Sequence, residues 1–100
     1  MASLYISEYR AQPIDYNGSA VPVGQEPSIA TQKISISGTS AQSAAFQATT
    51  RFIRAHTDAI CSVAFGLNPT ATASDARMVA GQTEFWGVAA GQKVAVITNT

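Results

Sequence analysis

Apolar and polar residues alternate with a period of two along most of this chain, in short runs separated by turn formers. Leu4 and Ile6 interleave with Tyr5, Ser7 and Tyr9, which predicts a strand over residues 4–9 with the tyrosines on the face opposite Leu4 and Ile6. Residues 29–37 carry the clearest alternation: Ile34 and Ile36 point one way, Lys33, Ser35 and Ser37 the other, so one face is dry and one wet. Residues 51–57 alternate again, with Phe52, Arg54 and His56 on one face and Ile53 and Ala55 on the other. Residues 59–66 form a nearly continuous apolar run, the pattern of a core strand buried on both faces. Val94, Val96 and Thr98 alternate with Ala95 and Ile97 in a final strand over 93–98.

Breakers divide these runs. Pro13, Asn17-Gly18, Pro22, Gly24 and Pro27 make residues 11–27 a loop or extended arm. The arm also carries Ile14, Tyr16, Val21 and Val23, and such apolar content predicts that it lies across a surface, its own or a partner's. Gly38-Thr39-Ser40 turns the chain, and the small residues of 41–50 read as loop and strand. Ala80-Gly81-Gln82 returns as Ala90-Gly91-Gln92, bracketing a strand over 83–89. Six or seven short strands with a breaker about every ten residues, and no amphipathic helix, predict an all-β fold: a small single-domain β-sandwich or jelly-roll-like fold with an extended N-terminal arm.

Composition sharpens this picture. The 100 residues include only six Lys and Arg and six Asp and Glu, whereas Ala, Ser and Thr supply 38. Soluble domains average about 25% charged residues, so this surface is unusually neutral and suits packing against neighbours. A net charge of zero with scattered arginines provides no field for nucleic acid, and none is expected as a partner. No stretch approaches the ~20 apolar residues of a membrane span, and the opening residues lack the pattern of a secretory signal, so synthesis in the cytoplasm and no membrane partner are expected. Cys61 is the single cysteine; it cannot form an intramolecular disulfide and reads as a small buried hydrophobe.

Candidate chemistry is sparse. His56 and Asp58 stand two apart among abundant hydroxyls, but no nucleophile-elbow pattern accompanies them, so His56 reads as a surface or hairpin residue. One His and one Cys fall short of a zinc ligand set, and the dispersed acids are accounted for by solvated faces. No enzymatic activity, metal or cofactor is expected. Phe85-Trp86-Gly87 places two aromatics on opposite faces of one strand, so one points inward; Phe85 is the favoured core residue and Trp86 the best candidate for an interface anchor.

The stretches Thr50–Gly66 (TRFIRAHTDAICSVAFG), Asn68–Ala73 (NPTATA), Ala76–Met78 (ARM), Phe85–Val88 (FWGV) and Val94–Thr98 (VAVIT), about half the chain, resemble small virion structural proteins of tailed bacteriophages. The resemblance implies a non-enzymatic protein of the virion, made in the host bacterial cytoplasm and residing on the capsid surface. Its expected role is that of a decoration or cement protein, with the major capsid protein and copies of itself as partners and a homo-oligomer as its state on the particle. A head-to-tail connector, a tail accessory protein and a carbohydrate-binding β module are the alternatives. The interface residues selected by this reading are Tyr5, Tyr9, Ile14, Tyr16, Val21, Val23 and Trp86.

Overall fold

The computed structural model describes residues 2–99. Among these the chain forms eight strands: β1 (Ser3–Tyr9), β2 (Ala30–Ser35), β3 (Ala41–Gln42), β4 (Phe52–Thr57), β5 (Cys61–Gly66), β6 (Ala76–Met78), β7 (Thr83–Gly87) and β8 (Lys93–Thr98). All pairings are antiparallel, in two sheets ordered β2-β1-β4-β7 and β3-β8-β5-β6. The expected β-sandwich is present; the very short edge strands β3 and β6 bring the total to eight.

Each sheet dries one face, as the period-two pattern requires. Leu4, Ile6, Ile34, Ile53 and Ala55 of the first sheet meet Cys61, Val63, Met78, Val94 and Val96 of the second, and Ile36 and Phe46 enter from the connections. Burial on both faces of β5 holds only for its first half. Cys61, Ser62 and Val63 are buried, whereas Ala64, Phe65 and Gly66 are half-exposed. The outer side of this sheet is partly covered by the 67–75 connection, whose Pro69 carbonyl accepts from Gln42 Nε2 and whose Ala71 N–H donates to Ser40 Oγ.

The connections follow a rule. Segments 10–29 and 67–75 join strands that pair within one sheet, whereas the other connections cross between sheets, by short corners apart from the long 43–51 segment. The Ala-Gly-Gln echo consists of two such corners built alike. Gln82 N–H donates to Val79 O at 3.1 Å and Gln92 N–H to Ala89 O at 3.2 Å, with Gly81 and Gly91 both at φ 80°. A positive φ at the third position is the type II turn, which excludes most side chains there. Each glutamine then closes its corner, Gln82 Oε1 accepting from Val79 N–H and Gln92 Oε1 from Ala89 N–H. Taken as a ring from β2 through β8 to β1, the strands switch sheets in the order of an eight-stranded jelly roll, with the strand that closes such a roll placed first in the chain. Ala2 and Thr98 accordingly bond to consecutive residues, Ile36 and Ser37.

The inner face of β1 contains a carboxylate. Glu8 follows Leu4 and Ile6 on that face and is wholly buried, which corrects the expectation that every acid lies on a solvated surface. Its oxygens accept from Thr50 Oγ1 at 2.7 Å, Gln47 N–H at 2.9 Å and Gln32 Nε2 at 3.1 Å. A buried charge is tolerated when donors surround it, and these three tie the 43–51 connection and β2 to β1. Replacing Glu8 with Ala strands the Gln47 and Thr50 donors, each costing about 1–3 kcal/mol. Thermal melts of Glu8→Ala are expected to show a loss of roughly 3 kcal/mol, with Glu8→Gln retaining more of the stability.

Candidate interaction face

The outer face of the first sheet carries an aromatic row. In register, Tyr9 faces Phe52 and Arg54 faces Phe85. The Tyr9 and Phe52 rings stack with centroids 5.3 Å apart, and Phe52 lies 6.3 Å from Phe85 at a tilt of 48°. Such offset and tilted pairs are favourable beyond the area they bury.

The arm covers one end of this row. Gly24 lies so close over the Tyr9 ring that a Cβ there would come within 2.5 Å of Tyr9 Cδ1, so a side chain at 24 would displace the arm. The Tyr9 hydroxyl donates to Glu26 Oε2 at 2.7 Å, and Gln25 N–H bonds to Ala11 O, closing the arm's base. Beyond the base the tip is ordered by its own hydrogen bonds: Ile14 bridges Ala20, and the Asp15 side-chain Oδ1 accepts from the N–H groups of Asn17 and Ser19. Two apolar side chains nevertheless stand in solvent at this tip, Ile14 at 72% exposure and Tyr16 at full exposure. Between arm and sheet runs an open groove of about 400 Å³, lined by Gln12, Pro22 and Val23 on one side and Phe52, Phe85 and Gly87 on the other, with Trp86 also contributing.

The residues selected from sequence therefore divide. Tyr5, Ile14, Tyr16 and Val23 are exposed, and Val21 is half-buried. Tyr9 is already covered by the chain's own arm and retains 4% exposure. Trp86 and Phe85 take orientations opposite to the favoured ones. Trp86 lies opposite Ile53 and packs against the core, its ring 5.3 Å from Phe65 of the other sheet, while Phe85 is 47% exposed on the outer face. Phe52 and Phe85 are the face residues missed by the reading from sequence. The signal that could have found them is the alternation of β4, which had already put Phe52 outward.

The polar candidates are engaged separately. His56 Nδ1 meets Thr83 Oγ1 at 2.8 Å across the β4–β7 pair, whereas Asp58 Oδ2 accepts from Ser3 N–H. Among the described residues no three His, Cys, Asp or Glu side chains gather as a metal site. Cys61 is buried, and burial pushes its thiol up from the ordinary range despite the hydrogen bond to Thr57 Oγ1, which makes the thiolate scarce. No protein-family model, curated protein or solved structure matches the chain.

Burial raises the pKa of the Tyr9 phenol above the usual 10.0, and the adjoining Glu26 carboxylate adds to the shift. The fold thus favours the neutral phenol, and this contribution is fully present below pH 10 and lost as pH rises through the raised value. Melts across the alkaline range are expected to show stability falling above about pH 10 in the native chain and falling less steeply in Tyr9→Phe. At neutral pH the same substitution should cost about 1 kcal/mol for the lost hydrogen bond.

Proposed function

We propose that this chain is a non-enzymatic structural protein of a tailed-bacteriophage virion that decorates or cements the capsid. The observation that carries the reading is the arm: an ordered tip holding Ile14 and Tyr16 in water, at the end of a segment clamped to the body through Tyr9. Apolar side chains preorganised in this way lose little entropy when they dock, the economy an interface anchor requires. A surface with few charges is compatible with permanent contact, and every neighbour that binds the folded chain adds to its stability by mass action. The partners under this reading are the major capsid protein and further copies of the chain, and the location is the capsid surface.

A second reading has a specific observation behind it. Phe52 and Phe85 form a shelf beside Gln12, an arrangement suited to stacking against a sugar ring. Glycan-array binding that disappears in Phe85→Ala would favour the carbohydrate-binding module.

Quantitative mass spectrometry of purified virions tests the leading proposal. A copy number near that of the major capsid subunit is expected; a handful of copies would move the protein to the neck or tail, and absence would end the virion reading. In particles reconstituted with purified chain, Tyr16→Ser is expected to weaken binding at least tenfold, the loss of about 1.4 kcal/mol or more that truncating an anchor produces.

A further inference from the structure

We propose that β7 is a self-pairing edge: two copies of the chain join antiparallel along β7, Phe85 opposite Phe85, to make one continuous eight-stranded sheet. The strand ends the order β2-β1-β4-β7, so among the described residues one of its sides has no neighbouring strand. Thr57 N–H donates to Gln82 O and Val88 N–H to Arg51 O, and this phase directs the backbone groups of Gln82, Glu84, Trp86 and Val88 towards β4. Thr83, Phe85 and Gly87 therefore turn their N–H and C=O groups to the free edge, and all three residues are exposed.

The other edges are guarded or short. On β2, Lys33 stands mid-strand with its ammonium 5.6 Å from the Tyr5 ring centroid, while β3 has two residues and β6 three, with Arg77 in the middle. Lysine, brevity and charge are the usual protections of an edge. The five residues of β7, Thr-Glu-Phe-Trp-Gly, include no lysine or proline, and their one charge, Glu84, lies on the Trp86 side of the strand, where it accepts from Gln82 Nε2 at 2.9 Å.

The sequence of β7 complements itself in one register. A twofold axis at Phe85 pairs Phe85 with Phe85 and Thr83 with Gly87, and every free donor and acceptor of the edge then finds a partner, about six hydrogen bonds at two per pair. Glu84 falls opposite Trp86, so no like charges meet across the axis. On the outer face the second copy's Phe85 emerges beside Phe85 and the groove bordered by Pro22 and Val23, extending the row Tyr9–Phe52–Phe85 into a stripe of six rings. Edge pairing of five residues is a small interface, for which dissociation on the order of micromolar is expected. The pairing gives residue-level content to the homo-oligomer in the reading above, yet the purified chain alone tests it.

Sedimentation equilibrium of the full chain, from low micromolar to sub-millimolar concentration, is expected to show a monomer–dimer equilibrium. Phe85→Lys should remain folded by circular dichroism, because the side chain lies on an exposed face, and should be monomeric throughout. Oxidised Phe85→Cys should form a covalent dimer, since directly opposed residues lie within disulfide reach. Thr83→Cys should not, as its two copies lie four residues apart, about 13 Å along the strands. Cys61 is buried and does not confuse the readout. A wild-type monomer at every concentration, a dimer untouched by Phe85→Lys, a trimer or ring, or equal crosslinking at 83 and 85 would each overturn the pairing. If Phe85→Lys unfolds, the two cysteine variants still decide the register. A solution dimer absent from virions would sink the virion reading alone, and a monomer abundant in virions would sink the pairing alone.

Discussion

A carboxylate cut off from water at the end of β1 organises much of this molecule. Glu8 can stay there only because Thr50, Gln47 and Gln32 bring donors to it from two other parts of the chain. Those donors are worth having only in one arrangement, so the charge specifies where the 43–51 connection lies, and Phe46 on that connection fills the core beside Ile36. An apolar residue at position 8 would bury as well but would leave the connection without that tether.

The next residue does the same on the opposite face. Tyr9 points outward, accepts Gly24 against its ring and donates to Glu26, so β1 ends by fixing a loop with one side chain and the arm with the next. Alternation along a strand makes this division possible: consecutive side chains cannot share a face. The arm is consequently clamped at its base, where its two ends meet, and bonded to itself at its tip, and the apolar side chains at that tip stand in solvent rather than on the body.

The topology explains why the aromatic row runs off the molecule at β7. Tight corners send the chain from β6 to β7 and from β7 to β8 across the sandwich, so neither sequence neighbour pairs with β7, and among the described residues its one strand partner is β4. A strand left at the edge in this way exposes backbone as well as Phe85. The neutral surface, the arm tip and this edge share a physical character: each lowers the cost of bringing a neighbour close, and none relies on charge.

The approximate positions of the six longer strands, the two-layer class and the arm were legible in the sequence, because a period of two and the spacing of Pro and Gly are local properties of the backbone, whereas the two short edge strands β3 and β6 carry too few residues to show a period. The repeated Ala-Gly-Gln was legible as punctuation, and its glycines answer to a local requirement for positive φ. Which of Phe85 and Trp86 faces the core was not legible, since alternation fixes only that they oppose each other; pairing with β4 sets the phase by placing Trp86 opposite Ile53. Glu8 shows the same division. Its place on the inner face follows from Leu4 and Ile6 two and four residues earlier, but the donors that make burial tolerable come from 24 to 42 residues away in the chain. Local periodicity is written in adjacent residues, whereas hydrogen-bond partners and strand neighbours arise only when distant segments meet. The sequence by itself determined which residues alternate and where the chain turns; the tertiary structure decided which face became interior and which edge remained open.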